Sequence, residues 1–429
     1  MLPIYEIPPM IVEMYGCYRD CFSTETEYVY FLRYMTGLLV PGKATVDGIN
    51  KLFCGELVRD QSNANRFMTE GVWEPLELEQ RRVDQLKRHS MLRPGKRGII
   101  ALDDVLLEKT GEQMEGVGWL RDTSQGKDIL CHCLVTCSYN KLGQSYPLYI
   151  RPYFKQAVCE SEEGQALGLA FRSKVDLAIE IVRLVLSEGI RGVVVFDAWY
   201  LSQRLVSEVE GADRLWLSRL KGDRLVKWSK TGPKRWQAID SVAKQVPKKA
   251  YHKVQVDGRV FWCYVVVLEV HELEDPKKVA VVWREEIGKG EPFFIVTNAT
   301  WWDAKRMLLV YLGRWPIEEW HREGKQHEGL ADYQMRRLDG IERHWCLVTC
   351  AYAGLVSKAV YDLRGVPHLL TLHSYAMDVV TEIAISFAKR IWERATQGVE
   401  SFLSIRWELK AFYDRFKLPS TKRCDPLPI

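Results

Sequence analysis

The order of apolar patterns between residues 97 and 221 constrains the fold more than any other feature of this chain. The stretch opens with short apolar runs that predict strands, the first of them "RGIIALDDVLLEK". The segment "FRSKVDLAIEIVRLVLSEG" then carries apolar residues at helical spacing. Two further strands follow, "RGVVVFDAWYLS" and "DRLWLSRLK", with a short helix between them. The predicted order is three strands, a helix, a strand, a helix and a strand, which is an α/β arrangement.

This order is that of a ribonuclease-H-like core, which is the fold that we predict. The chain before it has helical periodicity, the chain from Trp302 onward is helical to near its end, and a strand-rich segment with a turn at Asp257-Gly258 interrupts the core. We therefore predict a core with a β-rich insertion, flanked by helical N- and C-terminal regions. The predicted segments are 1–92 (helical, DNA-binding), 93–220 (first part of the core), 221–298 (β-rich insertion), 299–360 (closing helices of the core) and 361–429 (helical C-terminal region).

The composition is that of a folded protein without a metal-thiolate site. With 429 residues, 47% of them hydrophobic and 27% charged, the chain is long enough for two or three domains. None of the eleven cysteines forms a C-x-x-C pair, so the sequence does not predict a four-cysteine zinc site. Free thiols in this number fit a reducing cytoplasm. No signal peptide or membrane span is predicted.

Basic residues are clustered, although the net charge is only +4. Seven lie between Arg81 and Arg97, and seven more lie between Arg219 and Arg235, with Trp228 among them and Trp236 directly after. Basic residues mixed with flat rings suit a phosphate backbone with unstacked bases, although a solvated loop is an equal alternative. The DNA-contact candidates in these clusters are Arg93, Lys96, Arg97, Lys221, Arg224, Lys227, Lys234 and Arg235.

Carboxylates stand where the predicted core would bring them together. Asp103 and Asp104 end the first strand and Asp197 ends the fourth, and those strands are parallel neighbours in the proposed fold. A later helix would bring Glu318 alongside. A nucleotide site is excluded because the chain contains no G-x-x-x-x-G-K-[ST]. Three carboxylates that close repel one another unless cations lie between them, and oxygen ligands alone suit Mg²⁺ or Mn²⁺.

The stretch "YLGRWPIEEWHREGK" supplies Glu318 and its polar neighbours. Pro316 should break or restart the helix, so a shared face is expected only from Glu318 to Lys325. Arg314 and Lys325 would then hold phosphate. Glu319, about 100° from Glu318 around the helix, is expected to face solvent or lie behind the site.

These residues resemble the DDE transposases of bacterial insertion sequences. Tyr311, Arg314, Glu318 and Lys325 match the Y-x2-R-x3-E-x6-K signature at every spacing, and "ALDD" and "VVVFDAWYLS" resemble insertion-sequence families four and seven-hundred-and-one. The resemblance covers about 60 to 360.

The resemblance implies cut-and-paste transposition with two Mg²⁺ ions, for which Mn²⁺ can substitute. The implied catalytic and metal-binding acids are Asp104, Asp197 and Glu318, with Asp103 as the alternative first acid because a one-residue shift changes the face of a strand. Strand cleavage would proceed through a DNA hairpin. A flipped base commonly stacks on an aromatic of the insertion, where this chain offers Phe293. Tyr311, Arg314, Arg322 and Lys325 would contact DNA.

The implied partners are double-stranded DNA, as transposon ends and as target, and a second copy of the chain in the DNA complex. We expect a cytoplasmic, nucleoid-associated protein. A structure-specific nuclease or resolvase on the same core and a non-enzymatic DNA-binding derivative of a transposase remain alternatives. The presence of all three acids favours an enzyme.

Overall fold

The N-terminal region is helical, as its periodicity predicts. In a computed structural model of the chain, residues 2–42, 44–362 and 372–416 are described. Side-chain caps begin three of the first helices, from Thr24, Thr45 and Asp60, and Pro75 opens a fourth, a position that proline tolerates. The helices here are α1 (Pro9–Tyr15), α2 (Glu25–Leu39), α3 (Val46–Lys51), α4 (Gln61–Thr69) and α5 (Pro75–Arg88), with 3-10 turns at Gly16–Cys21 and Gly55–Leu57.

A ten-stranded mixed sheet forms the centre of the α/β part. The strands of the core are β1 (Ile99–Glu108), β2 (Gly118–Asp122), β3 (Lys127–Lys141), β4 (Gln144–Tyr153), β5 (Val193–Phe196) and β6 (Trp216–Leu220). Its helices are α6 (Gln156–Cys159), α7 (Glu162–Ala166), α8 (Lys174–Ser187) and α9 (Gln203–Gly211). A capping box at Ser173 begins α8, which packs on β3 and β4 through its apolar stripe.

The core strands have the predicted ribonuclease-H-like connectivity. β3 pairs antiparallel with both β1 and β4. β5 pairs parallel with β1, and β6 pairs parallel with β5. Four strands precede α8, and not three, because β2 and β4 pair with different parts of the long strand β3. The carboxyl ends of β5 and β6 therefore lie at one edge of the sheet, next to the middle of β1.

Six described strands follow β6, and all of them except β7 and β8 extend the same sheet. They are β7 (Leu225–Trp228), β8 (Arg235–Ala238), β9 (His252–Val256), β10 (Arg259–Leu268), β11 (Lys277–Trp283) and β12 (Phe293–Thr297), with α10 (Ile239–Gln245) and a 3-10 turn at Lys248–Ala250. β12 pairs antiparallel with β6, and β11, β10 and β9 follow outward, whereas β7 and β8 form a separate ribbon. The predicted turn joins β9 and β10, where Asp257 and Gly258 both have positive φ.

The remaining described chain is helical. The helices are α11 (Ala304–Leu312), α12 (Pro316–Gln326), α13 (Leu338–Asp362), α14 (Leu372–Thr396) and α15 (Val399–Asp414). The predicted C-terminal region is helical where it is described, and residues 363–371 and 417–429 lie outside the described residues. Among the helices of the described chain, none combines the length and the apolar character that a membrane span requires.

The chain forms two compact units. One comprises Met1–Leu78, Gly324–Lys358 and Leu370–Ile429, and the other comprises Glu79–Glu323 and Ala359–Leu369. The second unit contains the whole ten-stranded sheet, so the insertion strands and the core strands belong to one body. The five predicted segments have other boundaries and stay a prediction.

Candidate active site

Asp103 lies in the middle of β1, next to the carboxyl end of the parallel strand β5, which Asp197 follows. β1 and β5 pair as far as Leu102 opposite Phe196, so Asp103 and Asp197 each directly follow a paired residue. The charge of Asp197 also acts on Arg314, the residue that bonds Asp103. β5 ends at Phe196, and Asp197 begins the following loop, which is where open α/β sheets bind ligands.

Asp104 points to the opposite face of β1 and has partners there. Its Oδ2 accepts a hydrogen bond from Lys174 Nζ at 2.7 Å, and its Oδ1 accepts one from the Tyr200 hydroxyl at 3.0 Å. Tyr200 is fully buried, and its backbone N–H donates to the carbonyl of Asp197 at 3.0 Å. Asp104 therefore ties β1 to the turn after β5. Asp104 was predicted as the first acid and Asp103 as the alternative, and it is Asp103 that shares Arg314 with Glu318 in this structure.

Glu318 reaches the same edge on a helix that begins two residues before it. α11 ends at Leu312 and α12 begins at Pro316, the break that proline predicts. Between the two helices, Arg314 donates from Nη1 to Asp103 Oδ2 at 2.5 Å and from Nη2 to the Glu318 carboxylate. A single guanidinium thus joins the first and third acids. Arg314 was predicted to hold phosphate, and in this structure it pairs with carboxylates.

The electrostatics of this cluster place Asp197 within range of the same cation. Burial raises the pKa of Asp103 to about 6, although the charge of Arg314 opposes the rise. Burial acts to lower the pKa of Arg314, but the carboxylates of Asp103, Glu318 and Asp197 outweigh it and the pKa is raised. Three carboxylates therefore act on one guanidinium, whose side chain is only 12% exposed.

A hydrogen-bonded link holds α12 to the strand that carries Asp103. The Thr136 hydroxyl lies 3.1 Å from the backbone oxygen of Asp103 and 2.8 Å from His321 Nε2. A carbonyl only accepts, so the hydroxyl donates to Asp103 and accepts from His321, which must carry its proton on Nε2. His321 is buried and lies three residues after Glu318. The link therefore sets the position of Glu318 relative to β1.

Phe293 has no free ring face. It is 5% exposed, stacks on Tyr311 at 5.4 Å between ring centroids, and meets Phe261 edge-on at 6.5 Å. The Arg284 guanidinium lies 5.4 Å from the centre of the Phe293 ring. A base therefore has no access to Phe293 in this arrangement, and Tyr311, which was predicted to contact DNA, supports the packing around it.

The predicted DNA-contacting cations differ in their surroundings. Arg224 pairs with Glu272 and Lys227 pairs with Glu269, so acids of the loop after β10 neutralise both. The exposed members are Arg93, Lys96, Arg97, Lys221, Lys234, Arg235, Arg322 and Lys325. Lys325 lies two turns after Glu318 on α12 and falls in the other compact unit.

The donor set at the sheet edge fits a divalent cation in type. Asp103, Asp197 and Glu318 offer only carboxylate oxygens, the ligands that Mg²⁺ and Mn²⁺ prefer. As the side chains stand, no three His, Cys, Asp or Glu residues of the described chain converge on a common point. In this structure the positive charge between Asp103 and Glu318 is the guanidinium of Arg314.

The fold and the site define an α/β protein with three carboxylates at one edge of a mixed sheet. The chain belongs to the DDE superfamily endonucleases: the family model of that description matches residues 17–255. The match includes both aspartates of β1 and Asp197, and it ends before Glu318, which therefore depends on the geometry described above.

Other comparisons add little. No curated protein matches the chain. A solved structure with a similar fold is the cryo-EM structure of the piggyBac transposase synaptic complex with hairpin DNA, at 10% identity over 96% of this chain and 81% of that chain, with a TM-score of 0.47.

Proposed function

We propose that this protein is a DDE transposase that cuts and rejoins DNA strands with Asp103, Asp197 and Glu318 as its catalytic acids. The observation that carries the proposal is the guanidinium of Arg314, which bonds Asp103 and Glu318 and is also acted on by the charge of Asp197. Membership of an endonuclease superfamily supports the reaction class. Phosphoryl transfer asks a protein for charge stabilisation and positioning more than for covalent chemistry, and a carboxylate cluster suits that task.

Divalent cations are part of this proposal. Asp103, Asp197 and Glu318 would hold two Mg²⁺ ions, or Mn²⁺, which activate the attacking oxygen and stabilise the leaving one. Asp103 must be ionised to bind them, and its pKa of about 6 is compatible with that at neutral pH. Asp104 has a supporting task here, since it anchors the strand and the turn that carry the first two acids.

Arg314 would exchange partners as DNA binds. Its guanidinium now bridges two carboxylates, and a phosphate oxygen is an equivalent partner in charge and geometry. In the proposed complex, Arg314 releases Asp103 and Glu318 and binds the phosphate at the cleaved position. Thr136 and His321 keep α12 in place while this happens, because their hydrogen bonds do not involve Arg314.

The proposed substrate is double-stranded DNA, as transposon ends and as target. The exposed cations Lys234 and Arg235 of the loop and strand β8, together with Arg93 and Lys96 before β1, provide the charge that a phosphate backbone requires. The N-terminal helices would contribute end recognition. A homodimer in the DNA complex and the hairpin intermediate are parts of the proposal that rest on the resemblance.

Cleavage of a labelled duplex tests the proposed function. The substrate carries the element end plus its flank, and the reaction is run with Mg²⁺ and with EDTA on a denaturing gel. We expect a nick at the end that requires Mg²⁺, followed by a slow-migrating hairpin. Nicking at junctions regardless of the end sequence would indicate a structure-specific nuclease. Tight, specific binding without any cleavage in Mg²⁺ or Mn²⁺ would contradict the proposal and favour a non-enzymatic DNA-binding protein.

A further inference from the structure

The turn that follows Asp197 carries an exposed tryptophan on a fixed backbone. Trp199 is 62% exposed, two residues after the acid. The next residue, Tyr200, is fully buried and bonded to Asp104, and the carbonyl of Leu201 accepts from Arg224 Nη2 at 3.1 Å. The indole is therefore presented to solvent by a backbone that is anchored directly after it.

A cation lies over the same ring. Lys221 directly follows β6 and places its Nζ 5.1 Å from the centroid of Trp199. β5 and β6 run parallel with Phe196 opposite Ser218, so Trp199 and Lys221 each lie three residues beyond a paired position at the same edge of the sheet. The topology thus puts an indole and an ammonium together at the edge where Asp197 stands.

We propose that Trp199 and Lys221 form a binding site for an unpaired nucleobase and its phosphate, next to the acidic site. Every base has a flat face that stacks on an indole, and a lysine beside it meets the charge of the backbone. The faces of paired bases are covered by their neighbours in a duplex, so the site takes a base that has left the stack. This site rests on the proposed function, because it binds the strand on which the acids act.

The site differs in place from the expected stacking position. Phe293 lies in β12 and is enclosed by Tyr311, Phe261 and Arg284. Trp199 lies in the loop that Asp197 begins, two positions after that acid. A base stacked on Trp199 would therefore lie next to the loop that carries Asp197. The ring thus also restricts where the strand next to the cleaved phosphate runs.

The test measures binding and fluorescence of a single-stranded oligonucleotide that contains 2-aminopurine, in EDTA so that no cleavage occurs. The wild-type protein should bind the oligonucleotide and quench its fluorescence. Trp199→Ala should weaken that binding by about 10–100-fold and remove most of the quenching, whereas Trp199→Phe should retain both in large part. Lys221→Gln should keep the quenching and lower the slope of log affinity against log salt by about 1.

Trp301 provides the matched control. It is 71% exposed and follows β12, whose end pairs with the start of β6, at the opposite edge of the sheet. Trp301→Ala should bind and quench as wild type does. Unchanged binding and quenching by Trp199→Ala, or an equal loss on a fully paired duplex, would overturn the proposal. Thermal melting of Trp199→Ala identifies any loss that comes from unfolding.

The duplex cleavage assay, run with the same proteins, separates this proposal from the proposed function. If Trp199→Ala loses the quenching but the wild-type protein cuts no DNA, the base site is supported and the transposase proposal is wrong. If the wild type cuts DNA with Mg²⁺ and Trp199→Ala still quenches normally, the base site is wrong and the transposase proposal stands.

Discussion

Glu318→Gln is expected to abolish strand cleavage while DNA binding persists. The substitution keeps the size of the side chain and removes the charge that Glu318 shares with Arg314. A carboxylate that holds a divalent cation in phosphoryl transfer contributes several kcal/mol to the transition state, so the rate should fall by roughly 1,000-fold or more. Binding of a polyanion should be unchanged or slightly tighter, because a negative charge is lost. The cleavage gel and a parallel binding titration measure the two effects.

Glu319→Gln is the control for this prediction. Glu319 is the next residue of α12, about 100° around the helix from Glu318, and carries the same charge. Its substitution should leave the cleavage rate within a few-fold of the wild type. Equal loss in both variants would mean that the net charge of the helix matters, and full activity of Glu318→Gln would remove Glu318 from the site.

Arg314→Gln is expected to make the fold depend on divalent cations. Without the guanidinium, the carboxylates of Asp103, Asp197 and Glu318 lose the cation that now acts on all of them. The cluster is partly solvated, so we expect a loss of about 1–3 kcal/mol of stability in EDTA, less than for a fully buried pair. Mg²⁺ should recover it, since binding to the folded state alone stabilises that state. Melting curves in EDTA and Mg²⁺ should show a larger Mg²⁺ effect in the variant than in the wild type.

Arg314→Lys keeps the charge and serves as the comparison. The pKa of Asp103 is raised by burial and held down by Arg314, so Arg314→Gln should raise it further. The acidic limb of kcat/KM for any residual cleavage, which reports the DNA-free protein, should therefore shift to higher pH in Arg314→Gln, and much less in Arg314→Lys. If Mg²⁺ stabilised the wild type and Arg314→Gln by the same amount, the guanidinium and the cation would not compete for the acids.

The order of apolar segments along the chain is enough to predict the architecture. Alternating apolar runs and one clear amphipathic helix, now α8, indicated the connectivity of β1, β3, β4, β5 and β6. The break at Pro316 and the placement of Glu318 on the following helix were also confirmed, because proline acts through local sterics that the sequence reveals.

The choice between Asp103 and Asp104 could not be made from the sequence. Adjacent residues of a strand face opposite sides, and which side faces the helices depends on how β1 pairs with β5. That register is a long-range property. The partners of Asp104, Lys174 and Tyr200, are likewise distant in sequence, and no local signal marks them.

The surroundings of single side chains were the least predictable part. Phe293 was expected to offer a stacking surface and is enclosed, since β12 lies inside the sheet and α11 covers it through Tyr311. His321, on the same short helix as Glu318, is buried against Thr136, a residue distant in sequence. The spacing of residues on a short helix gives its faces, but it does not show which face lies against the core and which lines a site.

A side-by-side cleavage assay of Asp103→Asn and Asp104→Asn tests the three-acid site most directly. The two variants make the same chemical change at adjacent residues that point to opposite faces of β1. We predict that Asp103→Asn loses Mg²⁺-dependent cleavage by roughly 1,000-fold or more. Its melting temperature should fall no further than that of Asp104→Asn, because Arg314 keeps Glu318 as a charged partner. Asp104→Asn should lower the melting temperature, because Lys174 loses its charged partner, and retain measurable cleavage below that temperature. Cleavage by Asp103→Asn near the wild-type rate, with an inactive but fully folded Asp104→Asn, would contradict the site described here.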